Sequence, residues 1–326
     1  MQPPLQAPPG GFGIAPEDLV SARVMSMKIA PTIAMSERAA ALREAGVDVI
    51  GLAVGEPDFD TPSHIVEAAY AAARRGFTRY TAPDGAPLVK DAVRAKLERD
   101  NGLAYAREEV HVASGCKQVI YNAFAATLDP GDEVIVFTPS WVSYIDVVEF
   151  CGGTPVVVET RLEDGFLPEP DAVRRALTPR TKWVLLNTPN NPTGAVYPAE
   201  LLADIARVVA DHPRALVMSD EIYEHLVFDG GRHVCFLEAA PQMRERVLLV
   251  NGVSKSYAMT GWRMGFAAGP RHLIEAMAKV QSQTAGSSNS IGQAAAAAAM
   301  TGDQGNLAEW REIMERRRDL AMDVLR

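Results

Sequence analysis

The chain has 326 residues, of which 48% are hydrophobic and 22% charged, and this balance is typical of a soluble globular protein with one large or two smaller cores. Its 41 acidic and 32 basic residues give a formal net charge of -9, which disfavours binding to nucleic acid or to an anionic membrane. The three cysteines lack CxxC spacing and the six histidines lack HExxH spacing, so we predict neither a disulfide framework nor a metal site and expect a reducing cytoplasm.

The N-terminal part of the chain begins with residues 1–18, which are rich in Pro and Gly. They lack a basic region followed by an apolar one, so we predict a disordered tail and not a signal peptide. Helical patterns follow up to about residue 50, and GLAVGEPDFDTP indicates a short strand that runs into a loop. We assign residues 19–60 to an N-terminal arm and part of a small domain.

From residue 110 onward, short β-branched runs alternate with longer helical patterns. The predicted strands are 110–115, 133–138, 155–159, 183–187, 215–219, 246–250 and 264–268, and the helices between them include 117–128, 141–151, 169–177 and 198–210. Strands this apolar, separated by helices, indicate a mostly parallel seven-stranded sheet covered on both faces, that is, a three-layer α/β domain. We assign residues 61–290 to this large domain and 291–326 to a helix that leads into a small α/β domain, incomplete in this chain.

Polar residues of distinct chemical types follow several predicted strands. Ligands of parallel sheets bind beyond the carboxyl ends of the strands, so these positions are candidates for a site. SGCKQ opens a helix after the first strand, and its backbone N–H groups suit an anion such as phosphate, although many ordinary turns look alike. PSWVSY brings Trp141 to the rim of the sheet, where packing is a commoner role than stacking on a ligand.

Three later strands, 183–187, 215–219 and 246–250, are followed by an amide, a carboxylate and an amine. TPNNPTG is either only a rigid turn or a turn that fixes the Asn191 amide toward a ligand oxygen. Asp220 ends a very apolar strand and would be costly to bury without a cationic partner. Lys255, in SKSYAMTGWRMGF, would be a surface charge by default, but burial would lower its pKa and make the amine a nucleophile.

One cofactor requires all of these groups together. Pyridoxal phosphate has an aldehyde for a lysine, a ring nitrogen that stays protonated beside a carboxylate, a phenolate oxygen, a phosphate and a flat ring. Each residue alone could have an ordinary structural role, such as a turn, packing or a surface charge. Their combination at one edge of the sheet instead favours a site for this cofactor.

The motifs also resemble a known family, the fold-type-I pyridoxal-phosphate enzymes, and within it the class I/II aminotransferases of the aspartate aminotransferase group. NTPNNPTG, SDEIYEHL and SKSYAMTGWRMGF occur in the family's order, and GEPDFDTP, YTAPDGAPLVKDAV and LDPGDEVIVFTPSWVSY extend the resemblance over nearly all of residues 20–326. The resemblance implies a homodimeric enzyme that moves an amino group from an amino acid, aspartate or glutamate, to a 2-oxo acid.

The resemblance also implies roles for individual residues. Lys255 would bind the cofactor as a Schiff base and move the substrate's proton, and Asp220 would pair with the ring nitrogen. Asn191 and Tyr223 would bind the phenolate oxygen, and Trp141 would stack on the ring. The phosphate would be held by Gly115, Cys116, Lys117, Ser254 and Arg263, and by Tyr80 of the other subunit. The substrate would contact Gly55, Trp141, Asn191, Lys117 and Thr32.

Three departures from the family pattern bear on activity. Family members usually continue further, through a small-domain portion that carries an arginine for the substrate's α-carboxylate, and no residue here is assigned that role. Gly252 stands where many relatives have a phosphate-binding serine, and Ala30 where a serine is often found. Aspartate is favoured as substrate, while aromatic and neutral amino acids stay open.

Two kinds of alternative remain from the sequence. Another fold-type-I enzyme, such as a β-lyase, a deaminating oxidase or a cyclase, would share the cofactor-binding residues. A catalytically inactive, cofactor-binding fragment is the alternative from outside enzymology, and an amino-acid response of the bound cofactor would distinguish it.

Overall fold

The computed structural model describes residues 16–25, 27, 31–52 and 55–326, without the side chains of 16–17 and 31–33. The predicted tail therefore lies almost wholly outside the described residues. The chain divides into two units, Met1–Ala53 and Val54–Arg326. The first contains the helices α1 (Pro16–Leu19), α2 (Ala22–Met25) and α3 (Pro31–Glu44). Within it, the Arg43 guanidinium donates to the carbonyl oxygen of Val49 at 3.3 Å.

The second unit contains a seven-stranded sheet, as predicted. Its strands are β1 (Val110–Ala113), β2 (Glu133–Thr138), β3 (Thr154–Glu159), β4 (Thr181–Asn187), β5 (Leu216–Asp220), β6 (Val247–Gly252) and β7 (Gly265–Ala268). Their order in the sheet is β1-β7-β6-β5-β4-β2-β3. Only β7 is antiparallel to its neighbours β1 and β6, so the other six strands run in one direction and end at one edge.

Helices connect and flank these strands. They are α4 (Ser63–Arg74), α5 (Pro87–Asn101), α6 (Cys116–Thr127), α7 (Ser143–Phe150), α8 (Pro170–Ala176), α9 (Ala199–Ala210), α10 (Phe236–Ala239), α11 (Arg271–Gln283), α12 (Ser290–Thr301) and α13 (Gly305–Leu325). Helix α5 shows how the sequence sets such bounds. Pro87 occupies its first turn, and Gly102 ends it in a left-handed conformation with φ of +66°, which costs glycine little.

Two hydrophobic cores cover the two faces of the sheet. Alternate residues of one strand enter different cores, as in β2, where Val134 and Val136 pack on one side and Ile135 and Phe137 on the other. Helices α6, α7 and α11 cover the first face, and α4, α5, α8, α9 and α12 contribute to the second. This period-two pattern is what a sheet buried on both faces requires, and it confirms the predicted three-layer arrangement.

The predicted helix over residues 291–326 is divided in two, because α12 ends at Thr301 before Gly302 and the long helix α13 follows it. In α13, Trp310 stacks on Phe59 with ring centroids 4.5 Å apart, and Arg317 donates to the Asp58 carboxylate at 2.7 Å. Among the described residues, no helix combines the length and apolar composition that a bilayer crossing requires.

Candidate active site

Four of the parallel strands carry the predicted site residues to the same edge of the sheet. Gly115 follows β1, Asn191 follows β4, Asp220 ends β5 and Lys255 follows β6. Strand β7 returns antiparallel to β6, so the connection between these two strands, residues 253–264, carries both Lys255 and Arg263 to that edge. The topology thus accounts for the convergence of motifs that lie far apart in the sequence.

Asp220 is a buried carboxylate with no cationic partner among the residues that the structure describes. Its side chain is 3% exposed and accepts hydrogen bonds from the Tyr144 hydroxyl at 2.7 Å and from the Ile222 backbone N–H at 3.3 Å. Burial raises the pKa of Asp220 to about 6, although the Tyr144 hydrogen bond acts in the opposite direction. The Asp220 carboxylate is already desolvated in the folded protein, so it would interact favourably with a positively charged group that binds beside it.

Lys255 lies half-buried near the aromatic ring of Tyr223. Its Nζ donates to the carbonyl oxygen of Gly55 at 2.5 Å and is 5.9 Å from the centroid of the Tyr223 ring. Desolvation lowers the pKa of Lys255, with a further decrease from Arg263, while Glu56 and Cys116 act in the opposite direction. A lowered pKa increases the fraction of the amine that is neutral and nucleophilic.

Gly115 and Arg263 form a close contact at the start of α6. Gly115 has a φ of +86°, and a Cβ added to it would lie 2.5 Å from a guanidinium nitrogen of Arg263. Arg263 itself is left-handed, with a φ of 55°, and donates to the Thr260 carbonyl oxygen at 3.0 Å. Because a guanidinium and the free backbone N–H groups of a helix start meet here, the arrangement suits a phosphate.

The structure explains the glycine at position 252. A Cβ on Gly252 would lie 2.9 Å from the Met264 carbonyl oxygen and 3.0 Å from the Cys116 sulfur. Gly252 pairs with Gly265, which itself has no room for a Cβ beside the backbone of Cys116. A serine side chain at this position would not fit this backbone.

Asn191 and Tyr223 are hydrogen-bonded to each other. The Asn191 amide Nδ2 donates to the Tyr223 hydroxyl at 3.1 Å, and the backbone N–H of Asn191 donates to the side chain of Asn187 at 2.8 Å. Burial raises the pKa of Tyr223 to about 12, so its hydroxyl keeps its proton at neutral pH. Each of the two groups therefore has one hydrogen left to donate.

Trp141 is held by an aromatic contact and faces a lysine. Its ring meets that of Tyr144 edge to face, with centroids 5.2 Å apart, and the Lys117 Nζ lies 4.9 Å from its centroid. Desolvation lowers the pKa of Lys117, and nearby Arg263 lowers it further. Arg263 thus lies close enough to influence both Lys117 and Lys255, and this concentration of positive charge favours an anionic ligand.

The remaining predicted site residues are Tyr80, Thr32 and Ser254. Tyr80 is 98% exposed, and the side chain of Thr32 lies outside the described residues. Ser254 is buried at 8% exposure, directly before Lys255. The sequence reasoning missed the role of Tyr144 as the Asp220 partner, although the motif PSWVSY contains it.

These residues meet the requirements of pyridoxal phosphate. The buried Asp220 lacks the cation that a protonated ring nitrogen would provide, and the Gly115–Arg263 contact offers an anion site. The Lys255 amine has a lowered pKa, and the Asn191–Tyr223 pair provides donors for a phenolate oxygen. Each need of the cofactor is met by a group at the same sheet edge.

Comparisons with known proteins agree with this geometry. The sequence profile "Aminotransferase class I and II" matches residues 47–326. The chain is 48% identical over 305 residues to the aspartate aminotransferase of Rhizobium meliloti (strain 1021), covering 94% of this chain and 74% of that protein. It is 49% identical over 309 residues to the aspartate/prephenate aminotransferase of Thermus thermophilus, covering 94% and 79%.

Solved structures show the same relation. The crystal structure of the Rhizobium meliloti enzyme matches with a TM-score of 0.89 at 48% identity, covering 94% of this chain and 76% of that one. The Thermus thermophilus aspartate aminotransferase with maleate matches with a TM-score of 0.88 at 48% identity, covering 93% and 79%. The chain therefore belongs to the class I and II aminotransferase family, and it is a pyridoxal-phosphate-dependent transaminase that acts on amino and 2-oxo acids.

Proposed function

We propose that this protein moves the amino group of aspartate or glutamate to a 2-oxo acid. The observation that carries the proposal is the position of the Lys117 ammonium, 4.9 Å from the centroid of the Trp141 ring. A cation at the rim of the site suits the distal carboxylate that only an acidic amino acid carries. The names of the relatives and the maleate, itself a dicarboxylate, in the Thermus thermophilus structure support this choice.

Lys255 and Asp220 are the proposed centre of the chemistry. When bound, pyridoxal phosphate supplies an aldehyde that links to an amine and a protonated ring that draws electrons from the substrate's α-carbon. Lys255 Nζ is the group that holds the cofactor and later takes the proton from the α-carbon. Asp220 holds the proton on the ring nitrogen, which its desolvated carboxylate favours. Tyr144 keeps Asp220 in place.

Asn191, Tyr223 and Trp141 orient the ring. The free hydrogens of the Asn191 amide and the Tyr223 hydroxyl would donate to the phenolate oxygen of the bound cofactor, and the hydrogen bond between the two side chains fixes both donors in advance. Trp141 stacks on the ring, and its own orientation is set by Tyr144. Such preorganisation avoids the reorientation of dipoles during proton transfer.

The phosphate is assigned to the segment around Arg263. Its proposed ligands are the backbone of the segment Gly115, Cys116 and Lys117, the Ser254 hydroxyl and the Arg263 guanidinium. The Gly115 N–H itself donates to the Ala113 carbonyl oxygen at 2.8 Å, so the donors of this segment are the N–H groups of Cys116 and Lys117. Gly115 supports this assignment because its missing Cβ lets the guanidinium approach the start of α6. Gly252 contributes no side chain, so the phosphate is held without a serine there.

The remaining assignments concern the substrate and a second subunit. Gly55 is assigned to the substrate's α-carboxylate through its backbone, and the family resemblance alone assigns Thr32 to the distal carboxylate. The protein acts as a homodimer in the cytoplasm, and Tyr80 of one subunit reaches the phosphate of the other. The 98% exposure of Tyr80, together with exposed Tyr70 and Leu88, supports a covered surface in the dimer. The division into a large cofactor domain, residues 61–290, and a small domain is part of the same proposal.

A spectroscopic and a kinetic experiment test the proposal together. Wild-type protein loaded with pyridoxal phosphate is expected to show a visible absorption band that changes when aspartate is added, and Lys255→Ala is expected to lack it. Amino transfer should require a 2-oxo acid in equal amount. Release of ammonia without an acceptor would instead favour a lyase or oxidase, and a band that no amino acid changes would favour an inactive binding protein.

Prephenate is a second candidate acceptor, because the Thermus thermophilus relative is named an aspartate/prephenate aminotransferase. Lys117→Ala tests whether the site distinguishes acidic amino donors from neutral ones. It should reduce kcat/KM for aspartate by roughly tenfold to a hundredfold and leave neutral amino acids little changed. An equal loss for all amino acids would remove Lys117 from substrate recognition.

A further inference from the structure

Glu224 is a second buried carboxylate, four residues after Asp220, and it is fully paired. Its exposure is 8%, and it forms an ion pair with Lys96 of α5, whose side chain is 3% exposed. Asn101 donates to the other carboxylate oxygen at 3.2 Å and accepts from the Lys96 ammonium at 2.9 Å. The ammonium also lies 3.8 Å from the Asp100 carboxylate. Glu224 is thereby anchored to one rigid helix.

The Glu224 carboxylate is also hydrogen-bonded to β6, the strand that precedes Lys255. The Asn251 amide at the end of β6 donates to Glu224 at 2.6 Å, and its side-chain oxygen accepts from the Gly252 N–H at 2.7 Å. The backbone oxygen of Asn251 accepts from the Cys116 thiol at 3.1 Å. Asn251 therefore links the ion pair to the lysine strand and to the first residue of α6.

A second connection lies on the other side of Lys255. The ring nitrogen Nδ1 of His225 is 2.9 Å from the Ser256 hydroxyl, and the Asn306 amide donates to the Ser256 carbonyl oxygen at 3.2 Å. The consecutive residues Glu224 and His225 thus hold the chain before and after Lys255. Tyr223, directly before them, lies beside the Lys255 amine.

We propose that Glu224 is a positioning residue, which fixes the segment that carries Lys255 relative to the segment that carries Asp220 and Tyr223. It acts through Asn251, and its neighbour His225 acts in parallel through Ser256. The inference rests on the proposed role of Lys255 in holding the cofactor. Because the lysine and the ring partners lie on different connections, their spacing depends on a contact that joins those connections.

The charged groups around Glu224 keep it ionised. Lys96 and Asp100 approach from α5, His225 follows in the chain, and His233, which contacts Glu221, approaches from the segment before α10. Although burial acts in the opposite direction, the pKa of Glu224 is lowered to about 2 by Lys96, His225 and His233. Glu224 does not titrate near neutral pH, so pH effects of its substitution there report on the groups that it positions.

The decisive comparison is Glu224→Gln against Glu133→Gln in the cofactor-loaded protein. Glu133 is also buried, at 5% exposure, and is held by Arg180 at 2.8 Å, but it begins β2 at the opposite edge of the sheet. Both changes should lower the melting temperature. Only Glu224→Gln should weaken cofactor binding by about tenfold and shift the pH midpoint of the visible band by about one unit.

Asn251→Ala is the second variant, because it breaks the link and leaves the Lys96–Glu224 pair intact. It should reproduce both effects and decides the question if Glu224→Gln does not fold. Wild-type cofactor affinity and band midpoint in Glu224→Gln, or in Asn251→Ala where that variant must decide, would overturn the positioning role. A Lys255→Ala protein that retained the band would refute the proposed function itself, so the two failures are distinguishable.

Discussion

Asp220 and Glu224 are both buried carboxylates on one short segment, yet their environments are opposite. Asp220 has hydrogen bonds but no cation among the described residues, and burial raises its pKa to about 6. Glu224 has the Lys96 ammonium, and its pKa is lowered to about 2. The same residue chemistry at the same depth therefore has two different electrostatic outcomes.

The difference indicates where a ligand belongs. A carboxylate that already has a cation contributes to the folded state by itself, whereas a desolvated carboxylate without one becomes favourable only when a positive group arrives. Asp220 thus indicates where a cationic group of a ligand binds, whereas Glu224 stabilises the fold that positions this site. Four predictions test this division.

The largest expected effect is that of Asp220→Asn on activity. Loss of the carboxylate should reduce kcat by about a thousandfold, because the ring nitrogen loses the group that holds its proton. The cofactor-free variant should be at least as stable as wild type at pH 7, since an unpaired buried charge is removed. Steady-state kinetics and urea unfolding measure the two quantities, and a strongly destabilised cofactor-free variant would contradict the comparison.

Glu224→Gln is expected to have the opposite effect on the cofactor-free protein. It leaves the Lys96 ammonium buried without its main partner and should lower the free energy of unfolding by about 4 kcal/mol. The double change Lys96→Met with Glu224→Gln should recover part of that loss. Urea unfolding of the three proteins at pH 7 is the measurement, and equal stability of all three would show that the pair contributes nothing.

The two carboxylates also predict opposite responses to pH. The pKa of Asp220 is raised from 3.8 to about 6, so its contribution favours folding below pH 4 and is lost as the pH rises through 6. The pKa of Glu224 is lowered from 4.5 to about 2, so its contribution is present above pH 4.5 and is lost as the pH falls toward 2.

Comparison with the Asp220→Asn variant isolates the contribution of Asp220 to the pH dependence of the unfolding free energy. Between about pH 4 and 6, the cofactor-free wild type should lose about 2 kcal/mol of unfolding free energy relative to the variant, given the shift of the Asp220 pKa from 3.8 to about 6. Urea unfolding at several pH values gives both curves. Parallel curves over this range would mean that the pKa of Asp220 is not raised in the folded protein.

Tyr144→Phe should have the smallest effect of the four. It removes the hydroxyl that donates to Asp220 at 2.7 Å and keeps the ring that packs against Trp141. The pKa of Asp220 in the cofactor-free protein should rise further, and kcat should fall by about tenfold. Tyr197→Phe is a control, because this buried tyrosine lies in the core on the other face of the sheet. A similar loss in both variants would count against the Tyr144–Asp220 contact.

The sequence was sufficient for the strands and for the groups at their ends. Apolar runs predicted all seven strands, because a sheet covered on both faces needs apolar side chains in both directions. Asp220 stood out for a local reason, since a carboxylate directly after such a run needs an explanation. Its lack of a cation among the described residues is visible only in three dimensions.

Contacts between distant segments could not be predicted in this way. Tyr144 lies 76 residues from Asp220, and no local pattern connects the two. The link from Glu224 to Asn251 joins two connections at the same sheet edge, and each residue alone is an ordinary polar side chain. Thr32 and Tyr80 were assigned through the resemblance alone, and their roles stay predictions.

Gly252 limits which substitutions this part of the site can accept. Its missing Cβ faces both a backbone oxygen of Met264 and the sulfur of Cys116. Replacing the cysteine by a smaller residue would relieve only one of these contacts, so a serine at position 252 also requires a displaced β7. Positions 252, 116 and 264 are therefore coupled, because a side chain at position 252 is compatible with this fold only if the Cys116 sulfur and the backbone at Met264 both move.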